Sequence, residues 1–96
     1  MPTKKRETRK AERDLVITNK LGLHARPAAL FVQTANRFES SIEIRKEDMS
    51  VDGKSIMGIM TLAAEMGSAI RVTATGKDAD EALGALARLV ESNFGE

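Results

Sequence analysis

Two stretches, Ser41-Ile42-Glu43-Ile44-Arg45 and Ala69-Ile70-Arg71-Val72-Thr73-Ala74-Thr75, alternate apolar and polar residues with a period of two. Each describes a strand with one face in a core and the other in water. A sheet of such strands keeps one face solvated, which favours an antiparallel sheet covered by helices on a single side. Helical spacing fills the intervals: Ala28, Phe31, Val32 and Ala35; then Ile56, Ile59, Met60, Ala63 and Ala64; then Ala82, Leu83, Leu86, Leu89, Val90 and Phe94.

In chain order, Leu15-Val16-Ile17-Thr18 reads as a strand with Leu15 and Ile17 on one face. A loop around His24 leads into a helix from about Ala25 to Asn36. The strand Ser41–Arg45 turns through Lys46-Glu47-Asp48 into a second strand, Met49–Val51, with Met49 and Val51 facing inward. Ser55 has the chemistry of a helix N-cap, and the helix it starts is expected to reach Met66, with Gly67 as its stop. In Ala69–Thr75, Ile70, Val72 and Ala74 point inward while Arg71, Thr73 and Thr75 face water. Asp78 followed by Glu81 has capping-box spacing at the start of the longest helix. The order β-α-β-β-α-β-α predicts an α+β, open-faced two-layer sandwich: a four-stranded antiparallel sheet with three helices on one face.

The length, 96 residues, suits one small domain. Its core must be aliphatic, since Trp and Tyr are absent and only three Phe are present. Absence of cysteine excludes disulfides, thiolate chemistry and cysteine zinc sites, and fits a reducing cytoplasm. No apolar run approaches a membrane span, and the N-terminus lacks the apolar region of a signal peptide. Residues 1–13 carry six Lys/Arg against Glu7 and Glu12, a net charge of +4; residues 14–96 carry nine against twelve acidic groups, a net charge of −3. The expected organisation is a basic, disordered arm over 1–13 and a folded domain over 14–96.

The chemistry concentrates in Gly22-Leu23-His24-Ala25-Arg26-Pro27-Ala28. Pro27 fits the first turn of a helix, so His24, the sole histidine, lies at or just before a helix N-terminus. Unsatisfied amides and the helix dipole make that terminus an anion site. An imidazole that titrates near neutrality can attack an activated phosphoryl group there, with the amides of Ala25 and Arg26 and the Arg26 guanidinium as anion partners. One histidine without cysteine leaves no convincing metal site, and no cofactor is implied. Gly53-Lys54-Ser55 is not a nucleotide-binding loop, because the required upstream glycine is Asp48. Phosphorylation of Ser55 at an N-cap would place about two negative charges beside Ile56, Met57 and Met60, which form a candidate apolar docking patch.

The two segments Gly22–Ala28 and Lys54-Ser55-Ile56-Met57-Gly58-Ile59-Met60 closely resemble the active-site loop and the regulatory-serine segment of the HPr phosphocarrier family of the bacterial phosphotransferase system. The resemblance covers about residues 13–96. It implies that His24 accepts a phosphoryl group on Nδ1 from phosphorylated Enzyme I and passes it to a downstream phosphotransferase-system protein. It further implies that Arg26 steadies the group and that HPr kinase/phosphorylase modifies Ser55. Ala25, Ile56, Met57 and Met60 would be docking residues of a cytoplasmic monomer that neither binds nucleic acid nor enters membranes. The family's helix after Ser55 is shorter than the spacing alone predicts. The segment Thr61–Met66 and the ending Phe94-Gly95-Glu96 look more like the family's nitrogen-related branch than its sugar-transport carriers.

Two other classes fit parts of the sequence: an adaptor with a silent histidine, and a nucleic-acid-binding module using the arm. Against the second, the strands lack aromatic residues for base stacking and the folded body is net acidic.

Overall fold

The computed structural model describes residues 9–95. Strands β1 (Lys10–Val16), β2 (Ser41–Lys46), β3 (Met49–Asp52) and β4 (Ala69–Thr75) form one sheet in the order β1-β4-β2-β3, with every neighbouring pair antiparallel. Helices α1 (Ala25–Ala35), α2 (Ile56–Thr61) and α3 (Ala79–Glu91) follow β1, β3 and β4, and a 3-10 turn, Asn93–Gly95, ends the described chain. Phe31, Ile44, Ile59, Val72 and Leu86 are fully buried, so every helix and both central strands reach one core, aliphatic apart from Phe31 and Phe94. The fold class is therefore the predicted one.

Several boundaries differ, each for a local reason. Strand β1 starts at Lys10 rather than Leu15, and its ladder with β4 runs from Lys10–Thr75 to Val16–Ala69. The charged sequence from Lys10 to Asp14 carries little apolar signal; the main-chain pairing with β4 recruits it. Of the arm expected over 1–13, Arg9 to Arg13 thus belong to the fold, and residues 1–8 lie outside the described region. Arg13 meets Glu91 of α3 at 3.6 Å, and the Arg9 guanidinium pairs with Asp80.

Lys46 completes β2 instead of opening the turn, and Met49 opposite it shares the inward parity of Val51 but is left exposed at the end of the hairpin. Thr73 is buried rather than facing water: it lies in register with Glu12 on one side and Glu43 on the other, and its hydroxyl donates to the Glu12 carboxylate at 3.2 Å. Asp78 does precede α3 but makes no capping hydrogen bond. Its carboxylate instead accepts from the Ser40 hydroxyl and, at 2.9 Å each, from the amides of Glu39 and Ser40, which ties the start of β2 to the start of α3. Phe94 is buried from the 3-10 turn, with a left-handed φ of 57°, and not from the end of α3.

Helix α2 ends at Thr61, five residues before the predicted Met66. Leu62 and Ala64 are both buried, a spacing of two that no single helix face supplies. Ala63 between them turns left-handed, with φ 51°. Gly67 also has positive φ, but it belongs to the connection to β4, where its amide donates to Ile17 O at 2.7 Å.

Candidate functional site

The loop before α1 is folded on itself. Asn19 is buried, its Nδ2 donates to Gly22 O at 2.9 Å, and the Gly22 amide returns a bond to Asn19 O at 3.2 Å. Gly22 has φ +71°, and an added Cβ would stand 2.4 Å from the Ala64 carbonyl oxygen. Glycine is therefore required twice over, by backbone conformation and by contact. The Leu23 amide donates to that same Ala64 oxygen at 2.8 Å, while the Leu23 side chain enters the core.

The chain thus arrives at His24 already fixed. His24 is the N-cap residue of α1, in extended conformation (φ −83°, ψ −165°), and its carbonyl accepts the Ala28 amide at 2.9 Å. Its imidazole makes no capping bond. The ring is half-buried, with Nε2 shielded from solvent. Ala25 and Arg26 occupy the first two helical positions and are exposed; Pro27, the third, is buried. The amides of Ala25 and Arg26 precede the first intrahelical hydrogen bond, so this end of α1 presents N–H groups and the positive pole of the helix dipole.

Ser55 caps α2 as predicted, its Oγ accepting from the Gly58 amide at 3.0 Å. Ile59 is the buried anchor of this short helix. The candidate docking residues Ile56, Met57 and Met60 are 40%, 75% and 42% exposed. Met60 also lines an open groove of about 250 Å³ with Leu21, Leu23, His24, Ala63, Ala64 and Glu65. Ser55, Ile56 and Met57 do not line that groove; they sit nearer the start of α2.

Leu21, 70% exposed, extends the apolar rim from the histidine loop, and no reading of the sequence singled it out. It belongs to no periodic element, and its only signal is an apolar residue directly before a turn glycine. The segment 63–65, helical by its spacing, instead forms the wall opposite the loop. Among the described residues, no group of His, Asp and Glu could hold a metal ion, and no helix is long and apolar enough to cross a membrane.

Residues 11–92 match the family described as PTS HPr component phosphorylation site. The chain belongs to this family. It is 47% identical over 85 residues to the phosphocarrier protein HPr of Xylella fastidiosa, an alignment spanning 88% of this chain and 96% of that protein. The crystal structure of an HPr from Thermoanaerobacter tengcongensis superimposes with a TM-score of 0.87 at 52% identity, covering 90% of this chain and 97% of the other. A second structure from that organism, described as an HPr dimer, gives 0.73 at 54% identity over 85% and 94% of the two chains. The HPr match includes both the His24 loop and the Ser55 segment.

Proposed function

We propose that this HPr-family chain carries a phosphoryl group on His24. The observation that carries this reading is the placement of that imidazole at the N-cap of α1, at the edge of an apolar groove. The shielding of Nε2 supports Nδ1 as the attacking nitrogen. Its lone pair forms the N–P bond as the bond between phosphorus and the donor, phosphorylated Enzyme I, breaks and its electron pair returns to the donor. Transfer to a downstream phosphotransferase-system protein repeats the step in the opposite sense. The amides of Ala25 and Arg26 and the Arg26 guanidinium stabilise the equatorial oxygens.

A carrier must release what it takes, and a half-open site at the edge of a shallow groove suits that task. Leu21, Ala25, Ile56, Met57 and Met60 form the docking face for donor and acceptor. Modification of Ser55 by HPr kinase/phosphorylase adds charge beside this face and slows the exchange. Loop, groove and docking face all lie on one chain, which supports a monomer as the working unit, and the family's role in the phosphotransferase system supports a cytoplasmic location. Incubation with Enzyme I and phosphoenolpyruvate tests the reading: an acid-labile phosphate gain, absent in His24→Ala, is expected. Absence of any gain in the wild-type protein would leave an adaptor as the better description.

A further inference from the structure

Lys46 follows Ile42 and Ile44 on the inward parity of β2. Its stem continues their apolar stripe, and its ammonium donates to two successive carbonyls beyond α2, Leu62 at 3.1 Å and Ala63 at 3.3 Å. A helix C-terminus leaves such carbonyls unsatisfied and favours a cation beside them. Here the cation comes from another layer of the fold. Between the two carbonyls the backbone is left-handed at Ala63 (φ 51°), a conformation that disfavours alanine and suits glycine. One residue later, Ala64 O receives the Leu23 amide, and Gly22 packs against the same oxygen. Ala63, Ala64 and Glu65 line the groove with His24.

We infer that Lys46 is a positioning residue for phosphoryl transfer. By holding the Leu62 and Ala63 carbonyls it keeps Ala63 left-handed, and so fixes the wall against which the His24 loop is registered. The inference rests on His24 being the acceptor; Lys46 acts through Ala63 and Ala64, not on the phosphoryl group.

The test uses Lys46→Met, which keeps the stem, Lys46→Arg, which keeps the donors, and Ala63→Gly, which relieves the left-handed alanine. Transfer from phosphorylated Enzyme I is measured alongside hydrogen exchange of the Leu23 amide in the unphosphorylated chain. In Lys46→Met the account expects kcat to fall about tenfold, with KM changing less than about twofold, since misplacing a reacting group costs rate. The Leu23 amide should exchange about tenfold faster as its local opening becomes easier. Lys46→Arg should restore both, and in the Ala63→Gly background the loss caused by Lys46→Met should shrink. Unchanged kcat and Leu23 exchange in Lys46→Met would overturn the role, and so would an equal loss in the Ala63→Gly background. A wild-type chain that takes up no phosphoryl group would sink the acceptor reading together with this one; normal uptake with an unaltered Lys46→Met would sink the positioning role alone.

Discussion

The Leu23 amide donates to the Ala64 carbonyl at 2.8 Å, which joins the loop that presents His24 to the segment that ends α2. The histidine loop and the connection that follows α2 are therefore one mechanical unit. This main-chain hydrogen bond and the packed glycine beside it offer a path from the connection after α2 to the histidine loop.

Gly22→Ala tests that unit. Its Cβ meets the Ala64 oxygen, and its φ of +71° is costly for alanine, so denaturant unfolding should show a loss of about 1–3 kcal/mol. The Leu23 amide should also lose its protection from exchange. Wild-type stability with full protection would mean that the loop is not held against Ala64.

Ser55 has an observed capping role and a proposed regulatory one, and two variants separate them. Ser55→Ala removes the acceptor of the Gly58 amide and should cost about 1 kcal/mol in unfolding experiments, while phosphoryl transfer stays near normal. Ser55→Asp retains a capping oxygen but adds a charge beside Ile56 and Met57; it should be nearly as stable as wild type and transfer more slowly. Equal transfer rates in the two variants would remove the regulatory assignment.

Among the described residues, Met57 is the most exposed large apolar side chain. Met57→Ser should leave the melting temperature almost unchanged, as surface substitutions do. Its expected signature is a rise in KM for transfer from Enzyme I of about tenfold, equivalent to about 1.4 kcal/mol. A fall in kcat at constant KM would place Met57 in the chemistry rather than in docking.

Asp78 sets an acid limit. The Ser40 hydroxyl, and then the amides of Glu39 and Ser40, hold its carboxyl below the ordinary range against the opposing effect of burial. The folded pKa therefore lies below the unfolded one, so the stabilisation is complete above the unfolded value, about 3.9, and is lost as pH falls through the folded value. Asp78→Asn should be less stable than wild type at neutral pH, by about 2 kcal/mol, the scale of hydrogen bonds to a charged group. The gap should close in acid. A difference independent of pH would assign the effect to packing instead of ionisation.

The layers of this fold were legible in the sequence because alternation in Ile42-Glu43-Ile44 and helical spacing around Leu83 and Leu86 report burial directly. The candidate site was legible for a different reason: His24, Pro27 and Ser55 act through local backbone rules that need no knowledge of the rest of the chain. What escaped depends on partners distant in sequence. The start of β1 at Lys10 is recruited by β4, and Thr73 is buried between flanking glutamates. Asp78 is diverted from its helix by Ser40. Lys46 resembled a turn residue, although its parity with Ile42 and Ile44 already placed it on the inner face. The early end of α2 follows from the joint burial of Leu62 and Ala64, which a helical pattern cannot reveal because Ala63 and Ala64 also satisfy it.

The central claim is tested most directly by recording the imidazole nitrogen resonances of 15N-labelled protein before and after incubation with Enzyme I and phosphoenolpyruvate. The account predicts one phosphoryl group, bonded to Nδ1 of His24, which disappears when a downstream acceptor is added. A phosphoryl group on any other atom, or an imidazole spectrum unchanged by the donor, would contradict it.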